Sequence, residues 1–225
     1  MIAGMSRDLT TVRYFNQVGI KLILDTSVGA DEFVILRDAA SLARLTGAPD
    51  NSVIKVAYNT TSRDSLNLIV NNPKCFQYPS EYVLFREGNG AAMSLYIDSI
   101  YVHHAMRGAG LGTRSVMTSI AEAKNIGLTR IVLHAAGSAI SRQTFVGYYV
   151  WPSIGFDAPL PSSTMALLPP SLRGAKRLSD LFQSEEGSRW WYDNGVDLTV
   201  EFYLTDNRVG WKLLRDYAAR KGIRI

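Results

Sequence analysis

Apolar and polar positions alternate in several short runs along the first half of the chain. KLILDT from Lys21, VIKVAYN from Val53, SLNLIVNN from Ser65, YVLFRE from Tyr82 and MSLYIDSIYV from Met93 read as strands, because every second side chain of an extended backbone faces the same way. Asp31 stands where a helix cap belongs, ahead of EFVILRDAASLARLTG, and Gly47 and Pro49 end that helix. Glu87-Gly88-Asn89-Gly90 predicts a hairpin turn between the last two strands. In TRSVMTSIAEAKNIG, Val116, Met117, Ile120, Ala121 and Ala123 recur at helical spacing, and Gly127 suits the position just past the end. A buried strand, RIVLHA, follows from Arg130, then a second helical stretch to about Val150. Strand, helix and strand in alternation predict an α/β layered domain.

The last third has a different texture. Five of the eight prolines lie between Pro152 and Pro170, and all four tryptophans (Trp151, Trp190, Trp191, Trp211) fall after position 150. Beyond the prolines come a polar segment, LSDLFQSEEGS, a strand-like VDLTVEFYL and a terminal helix, GWKLLRDYAARKG. The expected division is a domain over residues 1–157 and a carboxy-terminal extension over 158–225 that packs its aromatic residues on the core. An aromatic surface facing a substrate or partner is the alternative.

Composition narrows the class. With 225 residues, 47% hydrophobic and 20% charged, the chain can bury a substantial core and is not a disordered or collagen-like sequence. Charges at Arg7, Asp8 and Arg13 interrupt the amino terminus before a signal-peptide core could form, and no run of eighteen apolar residues suggests a membrane span. One cysteine, Cys75, cannot make an internal disulfide framework. These features predict a soluble, cytoplasmic protein. Neither a His-Glu-x-x-His nor a Cys-x-x-Cys spacing occurs, so no metal site is expected. The net charge of +4 permits a phosphate-bearing ligand without requiring one.

The richest segment is YVHHAMRGAGLGTRSVM: a strand, a basic residue, glycines at 108, 110 and 112, then a helix. Glycine permits tight turns and lets an anion approach backbone amides without meeting a Cβ, while the helix start supplies unpaired N–H groups and the positive end of its dipole. Arg107 adds charge, and Thr113 and Arg114 offer further donors in the first turn. The dinucleotide fingerprint fails here. It needs a small residue where Thr113 stands and an acidic residue after the next strand. A triphosphate-binding loop would need Gly-Lys-Ser or Gly-Lys-Thr, and a kinase-type loop lies between two strands.

Arg107-Gly108-Ala109-Gly110-Leu111-Gly112 resembles the acyl-CoA motif of the Gcn5-related N-acetyltransferase (GNAT) superfamily, in which Gln or Arg is followed at three and five positions by glycine and by glycine or alanine. One helix later, GYYVWPSIGF resembles the family's closing signature, an aromatic residue four before a Gly-Phe pair. The resemblance runs from about residue 80 to residue 157. It implies the family's mixed central sheet with helices on both faces and a splayed pair of parallel strands. It further implies acetyl-CoA, or another acyl-CoA, as cosubstrate, with backbone groups of Ile100, Tyr101 and Val102 along its pantetheine arm. The amides of Arg107, Gly108, Ala109, Gly110, Leu111, Gly112 and Thr113 would hold the pyrophosphate.

Direct acyl transfer to an amine needs a proton acceptor for the amine and a donor for the departing sulfur. Asp98, inside the apolar run LYIDSIYV, is the first candidate base, because burial would raise its carboxyl pKa; a bulge or edge that leaves it solvated is the alternative. His104 is the second, since an imidazole accepts a proton near neutrality. The family's usual acid is a tyrosine where this chain has Trp151, and an indole cannot do that work. Tyr148 and Tyr149 stand two or three residues earlier, where a kink at Pro152 could bring one of them to the site or where both could pack on the sheet.

The expected function is an acyl-CoA-dependent N-acyltransferase whose amine acceptor is a small molecule or a protein amino group. Two other classes stay open. One is a CoA- or anion-binding module without turnover. The other is a nucleic-acid-binding or nucleic-acid-modifying protein that uses Trp190, Trp191 and Tyr192 with Arg173, Lys176, Arg177 and the basic terminal helix.

Overall fold

A computed structural model of the chain describes residues 8–25, 28, 38–59, 62–88, 92–205 and 207–223. It contains the α/β arrangement that the alternating runs predict, divided into two compact units: Met1–Thr129 with Ala219–Ile225, and Arg130–Ala218. The units meet in sequence at residue 129, so the change of composition near residue 158 falls inside the second unit.

The first unit is built on five strands: β1 (Lys21–Leu24), β2 (Val53–Asn59), β3 (Ser62–Asn71), β4 (Ser80–Arg86) and β5 (Met93–Ser99). β1 runs parallel to β2, and β2 through β5 form an antiparallel meander, so the sheet is mixed. Alternation decides the register. Leu66, Leu68 and Val70 of β3 are buried with Ile54 and Val56 of β2 and with Leu84 of β4. The hairpin between β4 and β5 forms as expected, closed by the Glu87 N–H on the Ala92 carbonyl, with its tip at 89–91 outside the described residues. The expected cap at Asp31 also lies outside them. Within the described part, Asp38 caps α2 (Ala39–Leu45), its carboxylate accepting the Ala40 N–H at 2.9 Å.

The helix α3 (Leu111–Asn125) follows the glycine run, and Gly127 beyond its end has the left-handed φ of 77° expected of that position. Val116, Met117, Ile120 and Ala123 are buried, whereas Ala121 is exposed. A second stripe on the same helix faces α2 with small and polar groups. Ser115 Oγ donates to the Gly47 carbonyl at 2.7 Å, Ser119 Oγ donates to the Leu45 carbonyl at 2.5 Å, and Glu122 accepts from Ser41 and from Arg44 Nε at 2.8 Å. Serines so placed let the two backbones approach while filling the orphan carbonyls at the end of α2. Burial alone would raise the Glu122 carboxyl, but hydrogen bonds from Arg44 and Ser41 outweigh it and hold the group below its ordinary value.

The second unit pairs β6 (Arg130–Ala135) with β7 (Leu198–Tyr203) antiparallel and surrounds them with α4 (Gly147–Ser153), α5 (Ser162–Ala166), α6 (Leu178–Phe182), α7 (Glu185–Asn194) and most of α8 (Arg208–Lys221). The short α1 (Leu9–Tyr14) belongs to the first unit. Aromatic rings carry much of the second unit's packing. Trp151, Phe156, Phe202 and Trp211 form an edge-to-face ladder with centroid separations of 5.9, 5.5 and 5.1 Å. The proline-rich stretch, poor in N–H donors, is tied down by side chains. Asp157 accepts from Arg177 Nε at 2.6 Å and from the Ser179 N–H at 2.9 Å.

Pro152 lies inside α4 and has no N–H for the carbonyl four residues back, that of Tyr148. The indole N–H of the fully buried Trp191 takes that place, donating to the Tyr148 carbonyl at 2.8 Å. The helix therefore keeps its closing turn despite the proline. Trp191→Phe should destabilise the protein by about 1–3 kcal/mol, because it leaves a buried carbonyl without a donor. The loss should be smaller in a Pro152→Ala background, where a backbone N–H returns. Urea denaturation of the two single variants and the double variant checks this, and an equal loss in both backgrounds would contradict it.

Candidate functional site

After β5 the chain passes through Ile100–His103 to the glycine run. The Tyr101 carbonyl accepts the Gln77 N–H at 2.8 Å, and the His103 N–H donates to the Cys75 carbonyl at 2.9 Å. Peptide groups on an extended chain alternate sides, so the N–H and C=O of Val102 face away from the 75–77 segment. There the Val102 carbonyl accepts Nε of Arg107 at 3.3 Å. Of the three residues expected along the cosubstrate arm, Ile100 and Val102 are half-buried, and the exposed Tyr101 has its carbonyl committed to the neighbouring segment.

The glycine run then makes two left-handed turns, at Gly108 with φ 81° and at Gly110 with φ 72°, conformations that cost glycine little and other residues more. Gly110 is the cap of α3, and no side chain caps that end. The amides of Leu111, Gly112 and Thr113 thus begin a helix whose first N–H groups have no intrahelical partner. A Cβ at Gly108 would meet nothing within 4 Å, so the loop is open there, while a Cβ at Gly112 would stand 3.0 Å from Val102 Cγ2. Leu111 is buried and Ala109 exposed, and Arg107 is the exposed cation beside the loop.

Arg114 does not serve as an outward donor as expected; it turns inward. Its guanidinium is buried and donates to the Asp8 carboxylate (2.7 Å from Nη2), to Thr11 Oγ1 at 3.2 Å and to the Ala109 carbonyl at 2.9 Å. Asp8 in turn caps α1. Burial by itself would raise the Asp8 carboxyl, but hydrogen bonds from Arg114 and Thr11 override it and bring the group down to about 2. With Arg114 neutralised by Asp8, the field at the loop comes from the helix end and Arg107.

The candidate bases lie in the first unit. Asp98 is exposed, which corrects the expectation of burial and agrees with the alternative of a bulge that leaves it solvated. Glu81 pairs with Ser99 and Tyr82 with Ile97, so Asp98 is the extra residue of a β-bulge and the strand's alternation breaks at it. His104 is exposed and opens a short 3₁₀ turn, with its ring 4.4 Å from that of His103. His103 Nδ1 accepts the Ala105 N–H at 3.3 Å.

The candidate acids lie in the second unit. Tyr148 is buried and its hydroxyl donates to the Tyr192 carbonyl at 2.7 Å, and burial pushes its phenol up. Its surroundings are those of a core residue. Tyr149 is half-buried, with its ring 5.1 Å from Tyr192 and 5.6 Å from Phe182, and it lines an open pocket with Glu185, Ser188, Arg189 and Tyr192. Trp151 packs on Phe156 in the aromatic ladder. Of the cations considered for nucleic acid, Arg177 is paired with Asp157 and Lys212 with Asp216.

Residues 71–145, which include the whole glycine run, match a model of the acetyltransferase (GNAT) family. Over that third of the chain the match is to a GNAT acetyltransferase domain. Comparison with curated proteins found no match. Among solved structures, a GNAT family acetyltransferase from Elizabethkingia anophelis with acetyl-CoA bound is 14% identical over 62% of this chain and 76% of that chain, with a TM-score of 0.31. IAA acetyltransferase from Bacillus cereus is 17% identical over 44% of this chain and 59% of that chain, with a TM-score of 0.28.

Asp8 is a residue the GNAT motif does not announce, since its partner lies 106 positions away. A carboxyl held low in the folded state adds stability above its unfolded value of 3.8, and that stability is lost as pH falls through about 2. Asp8→Asn should therefore cost about 2 kcal/mol at pH 7. The gap from the parent should narrow below about pH 4. Urea denaturation across pH checks this, and a pH-independent gap would contradict it.

Proposed function

We propose that the chain is an acyl-CoA-dependent N-acyltransferase, with acetyl-CoA as the acyl donor and an amine as acceptor. The observation that carries this reading is the pair of left-handed glycines, Gly108 and Gly110, opening onto an uncapped helix start inside the segment that matches the GNAT family. Such a loop offers several convergent N–H donors and no Cβ to obstruct an approaching anion, which suits the pyrophosphate of CoA. Arg107 would add a charge-assisted contact.

In the proposed reaction the acceptor nitrogen forms a bond to the acetyl carbon and the carbon–sulfur bond breaks. An ammonium acceptor gives up two protons in all, one carried away on the CoA thiol and one passing to solvent. Asp98 and His104, both exposed, are the proposed proton acceptors, and Tyr149 is the proposed proton donor. Tyr148 would support Tyr149 and Tyr192 by packing.

Gly108→Asp tests the cradle. It places a carboxylate at the loop in a position where a side chain meets nothing, so the fold should persist while acetyl-CoA affinity falls at least tenfold. Gly88→Asp, also left-handed and unobstructed, controls for backbone strain and should bind normally. Isothermal titration decides between them, and unchanged affinity in Gly108→Asp would overturn the cradle.

Thiol release at saturating acetyl-CoA tests the proton path. Asp98→Asn, His104→Ala or Tyr149→Phe should lower turnover tenfold or more in at least one case, with the pH profile shifted. If the titration shows binding but no amine in a broad panel releases thiol, the protein is a binding module instead.

A further inference from the structure

In the second unit, Tyr149 of α4 and Glu185, Ser188, Arg189 and Tyr192 of α7 line an open surface pocket of about 350 Å³. That volume falls in the range of small-molecule sites. Its aromatic wall is held in place from several directions. The Tyr192 carbonyl accepts the Tyr148 hydroxyl, the ring of Tyr192 meets Tyr149 edge to face, and the Arg142 guanidinium lies 5.0 Å from the Tyr192 centroid while paired with Asp193 at 3.2 Å. Tyr149 leans in turn on the buried Phe182.

Against this wall stand one carboxylate and one guanidinium, Glu185 and Arg189, four residues apart and so on the same face of α7. Their spacing and order would suit an intrahelical ion pair. Yet among the described residues neither side chain has an ion-pair or hydrogen-bond partner, whereas Arg142, Arg177 and Lys212 are each matched to an aspartate. Two uncommitted opposite charges about one helical turn apart, beside a fixed apolar wall, form a complementary surface for a small molecule that carries both an ammonium and a carboxylate.

We propose that this pocket binds a free amino acid, with its carboxylate on Arg189, its ammonium toward Glu185 and its side chain against Tyr149 and Tyr192. The proposal goes beyond the transferase reading. Binding itself does not depend on it.

The test is isothermal titration of a set of L-amino acids, aromatic, aliphatic and basic, each beside its amide and its deaminated acid. The first series is L-phenylalanine, L-phenylalaninamide and 3-phenylpropionate. At least one amino acid should bind tenfold or more tightly than both of its analogues. Arg189→Gln should erase the preference over the amide, and Glu185→Gln the preference over the deaminated acid. Both substitutions are at exposed positions and should leave the melting temperature and acetyl-CoA affinity unchanged. If every amino acid binds no better than its analogues, or the preferences survive both substitutions, the proposal is overturned. Acetyl-CoA titrated in parallel separates the two readings: binding of acetyl-CoA without amino-acid selectivity defeats this inference alone, and selectivity without acetyl-CoA binding defeats the transferase reading alone.

Discussion

A buried guanidinium organises the glycine run of the first unit and the elements on either side of it. Arg114 sits in the first turn of α3, where an outward cation would ordinarily add to the attraction for an anion. Instead it is used internally, neutralised by Asp8 and bonded to the Ala109 carbonyl within the glycine run. A single residue thereby joins the cap of α1, the loop and the start of α3. Taking a guanidinium out of water is costly unless its donors are matched, and here an ionised carboxylate, a hydroxyl and a carbonyl match them. The loop can remain open at Gly108 because its other side is fixed by this network.

The second unit solves a different problem of backbone accounting. Pro152 removes a donor from a helix whose preceding carbonyl is buried, and the Trp191 indole, forty-odd positions along the chain, supplies one. That bond and the hydroxyl of Tyr148 on the Tyr192 carbonyl tie α4 to α7 from both directions. Tyr148 is consequently held in the core while Tyr149 turns to the open pocket. Two adjacent tyrosines thus acquire unlike roles through what their neighbours lack.

Much of the architecture is legible in the chain before folding. The strands of the meander follow the alternation of apolar residues to within about three residues at each end, and β2 spans Val53–Asn59 as read. The helix after the glycine run and the left-handed Gly127 at its end come from local rules of spacing and capping, which depend on neighbours three or four positions away. The glycine run itself belongs with these, because positive φ is a property of single residues. Asp98 shows where such reading leaves a choice. The apolar run around it suggests burial and a bulge suggests exposure, and the pairing with β4, which β5 alone does not record, makes Asp98 the extra residue of a bulge and leaves it exposed.

What the sequence by itself determined is therefore the strands, the helix after the glycine run, a resemblance to the GNAT family from about residue 80 to residue 157, and the loop that could hold an anion; the short helices α5, α6 and α7 of the second unit are not read from it. The strands, the helix and the loop follow from periodicities and backbone preferences a few residues long, and the family from a resemblance of short motifs. Only the tertiary structure decided that Arg114 turns inward, that Tyr148 is buried and Tyr149 is not, and that Glu185 and Arg189 stand uncommitted beside two aromatic rings. Those outcomes turn on partners distant along the chain, and desolvation makes each charge or hydroxyl settle according to which of those partners folding brings within about 3 Å.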